Sequence, residues 1–225
     1  MIETITQADE RKSLARRSRT QSLVLTGLSI ALIAVGAFIT VPFGPIPFTL
    51  QTLMLGVVIC LLPPAWSVAA VGGYLALGCL GLPVFSGMRG GVAVLAGPTG
   101  GFLVGFLVAV VVVAFLRSRA LPTQGGTGDD VTERTVPSVT PSPVPHHRPR
   151  WFLPTLDVTS LALFSLIYFA LGSLWFMVST GVTLEASLAA CVFPFLLPDA
   201  IKIAVALICI QPVRAALGHG FAAER

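Results

Sequence analysis

The sequence predicts an all-α membrane protein with six transmembrane helices and with both its N- and C-termini on the cytoplasmic side. Of its 225 residues, 55% are hydrophobic and only 11% are charged, whereas a soluble domain usually carries about 25% charged residues. The apolar residues gather into runs close to the roughly 20 residues that one helical span needs. Lipid is therefore expected to be the main solvent of this chain.

The positions of the basic residues support this topology. All 14 Lys and Arg except Arg89 and Lys202 fall in residues 11–19, in residues 117–150 or at the C-terminal end. Such residues mark the cytoplasmic flanks of membrane spans, and six spans put all three basic segments on one side. The net charge of +4 therefore reflects membrane orientation, and we expect no nucleic-acid partner.

The chain divides into five predicted segments. Apolar runs alternate with polar stretches, and the longest polar stretch is rich in Pro, Ser, Thr and Gly, a composition typical of a disordered linker. The segments are a cytoplasmic N-terminal extension (1–22), helices one to four (23–116), a cytoplasmic linker (117–150), helices five and six (151–213) and a cytoplasmic tail (214–225).

The first three spans are predicted over residues 23–39, 49–62 and 65–82. The first is longer than a typical signal-peptide core and has no clear small-x-small cleavage site, so we expect it to be retained. Between the first two spans, residues 41–48 contain three prolines and a glycine. These residues break a helix and predict a stiff loop.

The last three spans are predicted over residues 101–116, 156–178 and 189–210, the final one broken near its start by two prolines. Residues 81–101 are dense in glycine, which permits close approach of backbone to a ligand. We predict a re-entrant loop there, because irregular backbone at membrane depth is tolerated only where protein or a cavity covers it. Six spans bring this loop, the Pro-rich loop and the start of span six together at the outer face.

The strongest candidate site is the pair Asp199 and Lys202, which lies inside an apolar run. A charge at membrane depth costs about 2.5–3.5 kcal/mol on insertion scales and is usually retained for function. Residues three apart share a helix face, so the pair offers one acceptor and one donor to a polar ligand. The alternative is an internal ion pair that fixes helix packing.

Several further polar residues are candidates for the same site. Arg89 lies between glycine-rich stretches in the outer loop, where it could grip a carboxylate with two hydrogen bonds or simply be solvated. Thr49, Gln51 and Tyr74 could hydrogen-bond a ligand. Each could also make an ordinary contact between helices, and for Tyr74 the sequence favours that interpretation.

Small residues recur on one face of the first span, at Gly27, Ala31 and Ala34. Such a face lets another helix approach closely. It predicts either packing inside the bundle or a docking surface for a partner membrane protein.

No motif indicates a cofactor, a metal or hydrolytic chemistry. The sequence contains no Walker A motif, no HExxH and no GxSxG. Its four cysteines all lie in apolar runs without ligand spacing and are expected to be packing residues. We therefore expect no cofactor and no metal.

Three ordered motifs resemble one family. They are residues 45–51 (PIPFTLQ), 78–85 (GCLGLPVF) and 97–101 (GPTGG), and Asp199 and Lys202 match its acidic-x-x-Lys pattern at the start of the last helix. The chain is similar in these motifs to BioY, the biotin-specific substrate-binding (S) component of energy-coupling factor transporters. The similarity covers about residues 23–116 and 152–212, while the N-terminal extension and the long linker depart from the family's usual form.

The resemblance implies a six-helix S-component fold in the cytoplasmic membrane and capture of biotin from outside. It implies as partners a transmembrane coupling subunit, which would meet the small-residue face of span one, and two cytoplasmic ATPases that would hydrolyse the ATP. The chain itself would then be no enzyme. The Gly-rich loop would act as a lid.

The resemblance also suggests roles for the candidate residues. Asp199 would accept from the ureido N–H groups of biotin, and Lys202 or Arg89 would meet its carboxylate. Phe85 and Phe48 would cover the bicyclic ring.

Three other functions remain open at this point. The chain could be an S component for another vitamin, such as thiamine or riboflavin, or a stand-alone secondary carrier. It could also be an intramembrane enzyme that uses Asp199 as acid or base, with Glu185 as the only other carboxylate predicted on the outer half.

Overall fold

The computed structural model describes residue 20 and residues 22–42, 44, 46–120 and 152–222. The predicted N-terminal extension and most of the predicted linker lie outside these residues. The described chain is mostly helical. Its elements are α1 Ser22–Phe38, β1 Thr40–Val41, β2 Phe48–Thr49, α2 Gln51–Leu61, α3 Pro64–Cys79, α4 Ala93–Ala96, α5 Gly100–Ala120, α6 Phe152–Thr180, α7 Leu184–Cys191 and α8 Phe193–Ala222.

Three stretches of the described residues are long and apolar enough to cross a membrane. They are Gly100–Ala120, Leu153–Thr180 and Leu184–Arg214, the last of which contains α7 and most of α8. The apolar helices α1, α2 and α3 are shorter. Many large apolar side chains are exposed on the outside of this bundle, as expected where lipid replaces water. The predicted class, a mostly helical membrane protein, is confirmed.

The predicted stiff loop between the first two spans contains a small hairpin, so the chain is not purely α. Thr40 pairs with Thr49 and Val41 with Phe48 in an antiparallel register. Gly44 adopts a φ of +75°, a left-handed conformation that suits glycine in a turn. The hairpin ends directly before α2 and fixes where that helix begins.

The last span differs from its prediction at both ends. A separate helix, α7, precedes it and is capped by the Thr183 side chain, which accepts from the Ala186 backbone N–H. Helix α8 then runs through Pro198 without a break and continues past Arg214 to Ala222. Proline is tolerated inside membrane helices because neighbouring groups can satisfy the freed backbone carbonyl.

A buried ion cluster joins four helices away from the predicted site. Asp157 on α6 accepts from Arg117 Nη1 at 2.9 Å and from Arg214 Nη1 at 2.5 Å. Arg214 Nη2 also donates to the carbonyl oxygen of Cys60 on α2 at 2.6 Å. Helix α5 continues to Ala120, three residues past the predicted start of the linker, and the Arg117 side chain is only 5% exposed.

Helices α5 and α6 pack closely because of glycine. A Cβ atom at Gly172 would collide with the ring of Phe102, so only glycine allows this approach. The contact brings a row of aromatic side chains from both helices together beside the site described below.

We predict that Asp157→Asn destabilises the folded protein by about 3–5 kcal/mol, because it leaves two arginines without a buried counter-charge. Unfolding of the detergent-purified protein by denaturant measures this effect. The matched control is Glu185→Gln, the same chemical change at an exposed carboxylate. Equal stability of Asp157→Asn and the control would contradict the structural role of the cluster.

Candidate ligand-binding site

A cavity opens where the hairpin, the segment between α3 and α5, and the first turns of α8 meet. About 690 Å³ of empty space, which includes open solvent at the mouth, lies among the lining residues. Aromatic and aliphatic side chains form much of the wall. The polar residues in it are Thr49, Gln51, Thr52, Ser86, Arg89, Thr99, Tyr168, Asp199 and Lys202.

The structure brings most of the predicted site residues together in this wall. Residues from α2, from the Gly-rich loop and from α8 contribute to it although they are far apart in sequence. Those on the wall are Thr49, Gln51, Phe85, Arg89, Asp199 and Lys202. Two predicted residues, Phe48 and Tyr74, are not among the lining residues and lie behind them.

Asp199 presents a carboxylate to the cavity from α8. The residue is 5% exposed, and its Oδ2 accepts a hydrogen bond from Ser165 Oγ on α6 at 2.6 Å. Asp199 and Tyr168 both line the cavity, so the carboxylate lies on its wall within a polar cluster.

Lys202 lies one turn further along α8 and is anchored by α2 and the hairpin. Its Nζ donates to the carbonyl oxygen of Thr49 at 2.7 Å and to Thr52 Oγ1 at 3.0 Å. It also lies 4.0 Å from the ring centroid of Phe48, a cation–π contact. Lys202 and Asp199 make no direct ion pair in the described structure. The structure therefore does not show the internal ion pair that the sequence analysis offered as the alternative to a ligand site.

Arg89 lies at the mouth of the cavity in the segment between α3 and α5. Phe85 and Arg89 pair as an isolated antiparallel bridge across a tight turn. In that turn Gly87 and Met88 have φ values of +71° and +55°. Arg89 Nε donates to the carbonyl oxygen of Ser86 at 3.1 Å. Within the described residues the two Nη groups have no hydrogen-bond partner, so the guanidinium edge is available to a ligand.

Tyr74 holds the wall in place from behind. Its hydroxyl accepts from Gln51 Nε2 at 3.1 Å and donates to the carbonyl oxygen of Val84 at 3.1 Å, linking α2, α3 and the loop. Phe85 packs edge-on against Tyr74, with ring centroids 5.6 Å apart, and its ring fills the space where a Cβ at Gly78 would lie. These contacts set the position of Gln51 and Phe85.

Several polar residues of the site escaped the sequence analysis, among them Thr52, Ser165 and Tyr168. Thr52 follows the predicted Thr49 by three residues, at the start of α2. Ser165 and Tyr168 are also three apart, so they share one face of α6. Two hydroxyl groups at this spacing in an apolar run could have indicated a polar face on α6. Single hydroxyl residues are common in membrane helices, however, so the pattern is not specific.

The predicted small-residue face of the first span is only partly outward. Gly27 and Ala31 are exposed, and no atom lies within 4 Å of a Cβ built at Gly27. Ala34 is 8% exposed and belongs to the core. The open part of this face therefore comprises Gly27 and Ala31.

The described residues contain no group of three or more His, Cys, Asp or Glu side chains that could hold a metal ion.

Comparison with known proteins points to one family. The model of the BioY family matches residues 8–219 of this chain. The biotin transporter BioY of Thermotoga maritima is 42% identical over 99 residues, 44% of this chain and 59% of that protein. The biotin transporter BioY2 of Lactococcus lactis is 46% identical over 93 residues, 41% of this chain and 51% of that protein. The aligned regions thus cover between half and three fifths of the length of these relatives.

A solved structure supports the fold. It is the crystal structure of the S-component for biotin from an ECF-type ABC transporter, which matches with a TM-score of 0.67. The match covers 88% of this chain and 93% of that one, at 22% identity. The described chain therefore has the S-component fold.

Proposed function

Because the chain belongs to the BioY family, we propose that it is the substrate-binding subunit of an ECF-type transporter and captures biotin for uptake across the cytoplasmic membrane. The observation that carries this proposal is the cavity, where one carboxylate and two cations face an otherwise largely apolar wall. Biotin has matching parts, namely a ureido group, an apolar bicycle and a carboxylate tail.

Asp199 would recognise the ureido group. Its Oδ2 accepts from Ser165, and the carboxylate would in addition accept from a ureido N–H. Phe85 and the neighbouring aromatic side chains would cover the bicyclic ring. Phe48 would act indirectly, since it contacts Lys202 and stacks on Phe195 with ring centroids 6.4 Å apart.

Arg89 is the better candidate for the biotin carboxylate. The ammonium of Lys202 already donates to Thr49 and Thr52, whereas the Nη groups of Arg89 at the cavity mouth have no such partners within the described residues. Arginine also binds carboxylates with two parallel hydrogen bonds. Lys202 would then balance the charge of Asp199 and hold α2 against α8.

Six spans with cytoplasmic termini form the topology that we propose, with the segment boundaries given in the sequence analysis. Three long apolar stretches and three shorter apolar helices are compatible with it. The basic residues of the segments at 11–19 and 117–150 and of the C-terminal end favour the cytoplasmic side. The cavity would then open to the outside, with the Gly-rich segment between α3 and α5 as its lid.

A coupling subunit would dock on α1, and two ATPase subunits would supply the energy. Gly27 and Ala31 are exposed small residues on that helix, which suits close packing against a partner helix. An enzymatic function is disfavoured, because Glu185 is exposed and lies outside the cavity wall. Asp199 therefore lacks the second carboxylate that acid–base chemistry at this site would use.

We predict that Asp199→Asn weakens biotin binding at least 30-fold, since truncating one partner of a buried charged hydrogen-bonding set costs about 2–5 kcal/mol. Calorimetric titration of the detergent-purified protein measures this loss. Glu185→Gln is the matched control and should bind as the wild type does. If Asp199→Asn binds biotin with wild-type affinity, the assignment of this carboxylate is wrong.

Arg89→Gln should abolish the preference for biotin over biotin methyl ester, because the ester lacks the charge that Arg89 would bind. Lys202→Gln should weaken both ligands to a similar degree and keep the preference. The measurement is the ratio of the two dissociation constants in each variant. A ratio that collapses in Lys202→Gln and persists in Arg89→Gln would assign the carboxylate to Lys202 instead.

The double variant Gly27→Leu/Ala31→Leu should bind biotin normally and fail to co-purify with the coupling and ATPase subunits. The added side chains fit the isolated chain because the space around Gly27 is open, but they would prevent close helix packing. Ala162→Leu/Ala170→Leu places two leucines at exposed positions of α6 and serves as the control. If the double variant forms the complex normally, α1 is not the docking surface.

A further inference from the structure

A groove on the lateral surface of the bundle lies between the start of α6 and the end of α8, and we call it the α6–α8 groove. The residues that line it include Asp157, Val158, Leu207, Gln211 and Arg214. The groove is distinct from the ligand cavity. Arg214 lies 15 residues after Asp199 on α8, which is about 22 Å at roughly 1.5 Å per residue.

The α6–α8 groove lies where the long apolar stretches end. Leu184–Arg214 ends at one of the lining residues, and Leu153–Thr180 begins four residues before another, Asp157. The last turn of α5 carries Arg117 and Arg119 at the same end of the bundle. The ends of apolar spans lie at the level of the lipid headgroups. In a membrane the groove is therefore at the depth of the phosphate groups.

The charges beside the groove do not cancel. Both oxygens of Asp157 accept from arginine, Oδ1 from Arg117 and Arg214 and Oδ2 from Arg214. Two guanidinium groups thus share one carboxylate. The other carboxylates among the described residues, Glu185 and Asp199, lie on α7 and near the start of α8, so the cluster keeps one net positive charge. The Asp157 side chain is 3% exposed and that of Arg214 is 32% exposed, so the groove presents the cation rather than the carboxylate.

Arg214 and Gln211 offer hydrogen-bond donors to an anion in the groove. A guanidinium has five N–H groups, and Arg214 uses three of them, two for Asp157 and one for the Cys60 carbonyl. Gln211 lies three residues earlier on the same helix and is exposed. Its side-chain amide has no hydrogen-bond partner in the part of the chain that the structure describes. Arginine with free N–H groups is well suited to phosphate oxygens.

We propose that the α6–α8 groove binds the phosphate group of an anionic phospholipid, with Arg214 and Gln211 at the headgroup and Val158 and Leu207 against an acyl chain. Basic pockets between membrane helices at this depth are suited to acidic headgroups. A phospholipid suits the groove better than a soluble anion, because its wall is partly apolar and Val158 is exposed on it. The inference goes beyond the proposed function, since the groove is remote from the cavity.

The test changes the charge of the groove at Gln211, which lines it and makes no hydrogen bond to the ion cluster among the described residues. Gln211→Glu and Gln211→Lys alter the charge in opposite directions at one place. Ser118→Glu is the control, because it adds the same negative charge at an exposed position of α5 at the same end of the bundle.

Each protein is purified in detergent and stripped of co-purified lipid. Thermal unfolding is then followed as phosphatidylglycerol, phosphatidylcholine or inorganic phosphate is added. A ligand that binds only the folded state raises the unfolding midpoint according to its dissociation constant. The unfolding curve without lipid checks that each variant is folded.

We expect phosphatidylglycerol to stabilise the wild type more than phosphatidylcholine does. One charge near a membrane surface changes affinity about fivefold. The dissociation constant for phosphatidylglycerol should therefore rise about fivefold in Gln211→Glu, fall by about the same factor in Gln211→Lys and stay within about twofold of wild type in Ser118→Glu. Biotin affinity should be the same in all four proteins, so this test and that of the proposed function can fail separately.

Several results would overturn the proposal. Equal stabilisation of the wild type by the two lipids would show no preference for an anionic headgroup, and an unchanged affinity in both Gln211 variants would place binding elsewhere. An equal loss in Ser118→Glu and Gln211→Glu would indicate general surface charge. If inorganic phosphate alone gives the whole stabilisation, the ligand is not a lipid.

A second measurement needs no variant. Mass spectrometry of the intact wild-type protein, released from micelles that contain equal amounts of the two lipids, should show one phosphatidylglycerol bound in preference to phosphatidylcholine. Binding of the two lipids in equal amounts would overturn the proposal.

Discussion

A charge inside an apolar helix bundle must be surrounded by hydrogen-bonding groups, and this constraint shapes the molecule in two places. Asp199 and Lys202 are each satisfied by a different neighbour, Ser165 on α6 for the first and Thr49 and Thr52 for the second. The cluster around Asp157 ties α2, α5, α6 and α8 together. Asp157 lies eight residues before Ser165 on α6, which is about 12 Å at roughly 1.5 Å per residue. Between these two places the helices pack through apolar side chains.

The separation of Asp199 from Lys202 bears on the proposed binding of a ligand. A direct ion pair would satisfy both groups and leave little for a ligand. In the described structure each group is instead anchored to another element, and both side chains line the cavity. The hairpin contributes to this arrangement, because the Thr49 carbonyl and the Phe48 ring both contact the ammonium group of Lys202.

Sequence reasoning singled out Asp199 and Lys202, which line one cavity, because charges in apolar runs are rare and conspicuous. It missed Arg117 and Arg214 as structural residues, since cations near the ends of apolar runs look like ordinary cytoplasmic flanks until Asp157 is seen between them. It missed Tyr168 because a lone hydroxyl in a membrane helix has many ordinary explanations. It named Tyr74 as a possible ligand contact but favoured a contact between helices, and the Tyr74 hydroxyl indeed bonds to Gln51 and Val84. The direction of a side chain in the bundle depends on packing that periodicity alone does not fix.

The most direct test of the account is a calorimetric titration of the detergent-purified full chain with biotin, beside thiamine and riboflavin. The account predicts tight binding of biotin and none of the other two vitamins, since the cavity pairs Asp199 with a cation at its mouth across an apolar wall. Binding of thiamine or riboflavin in place of biotin, or no binding of biotin by a folded protein, would contradict it.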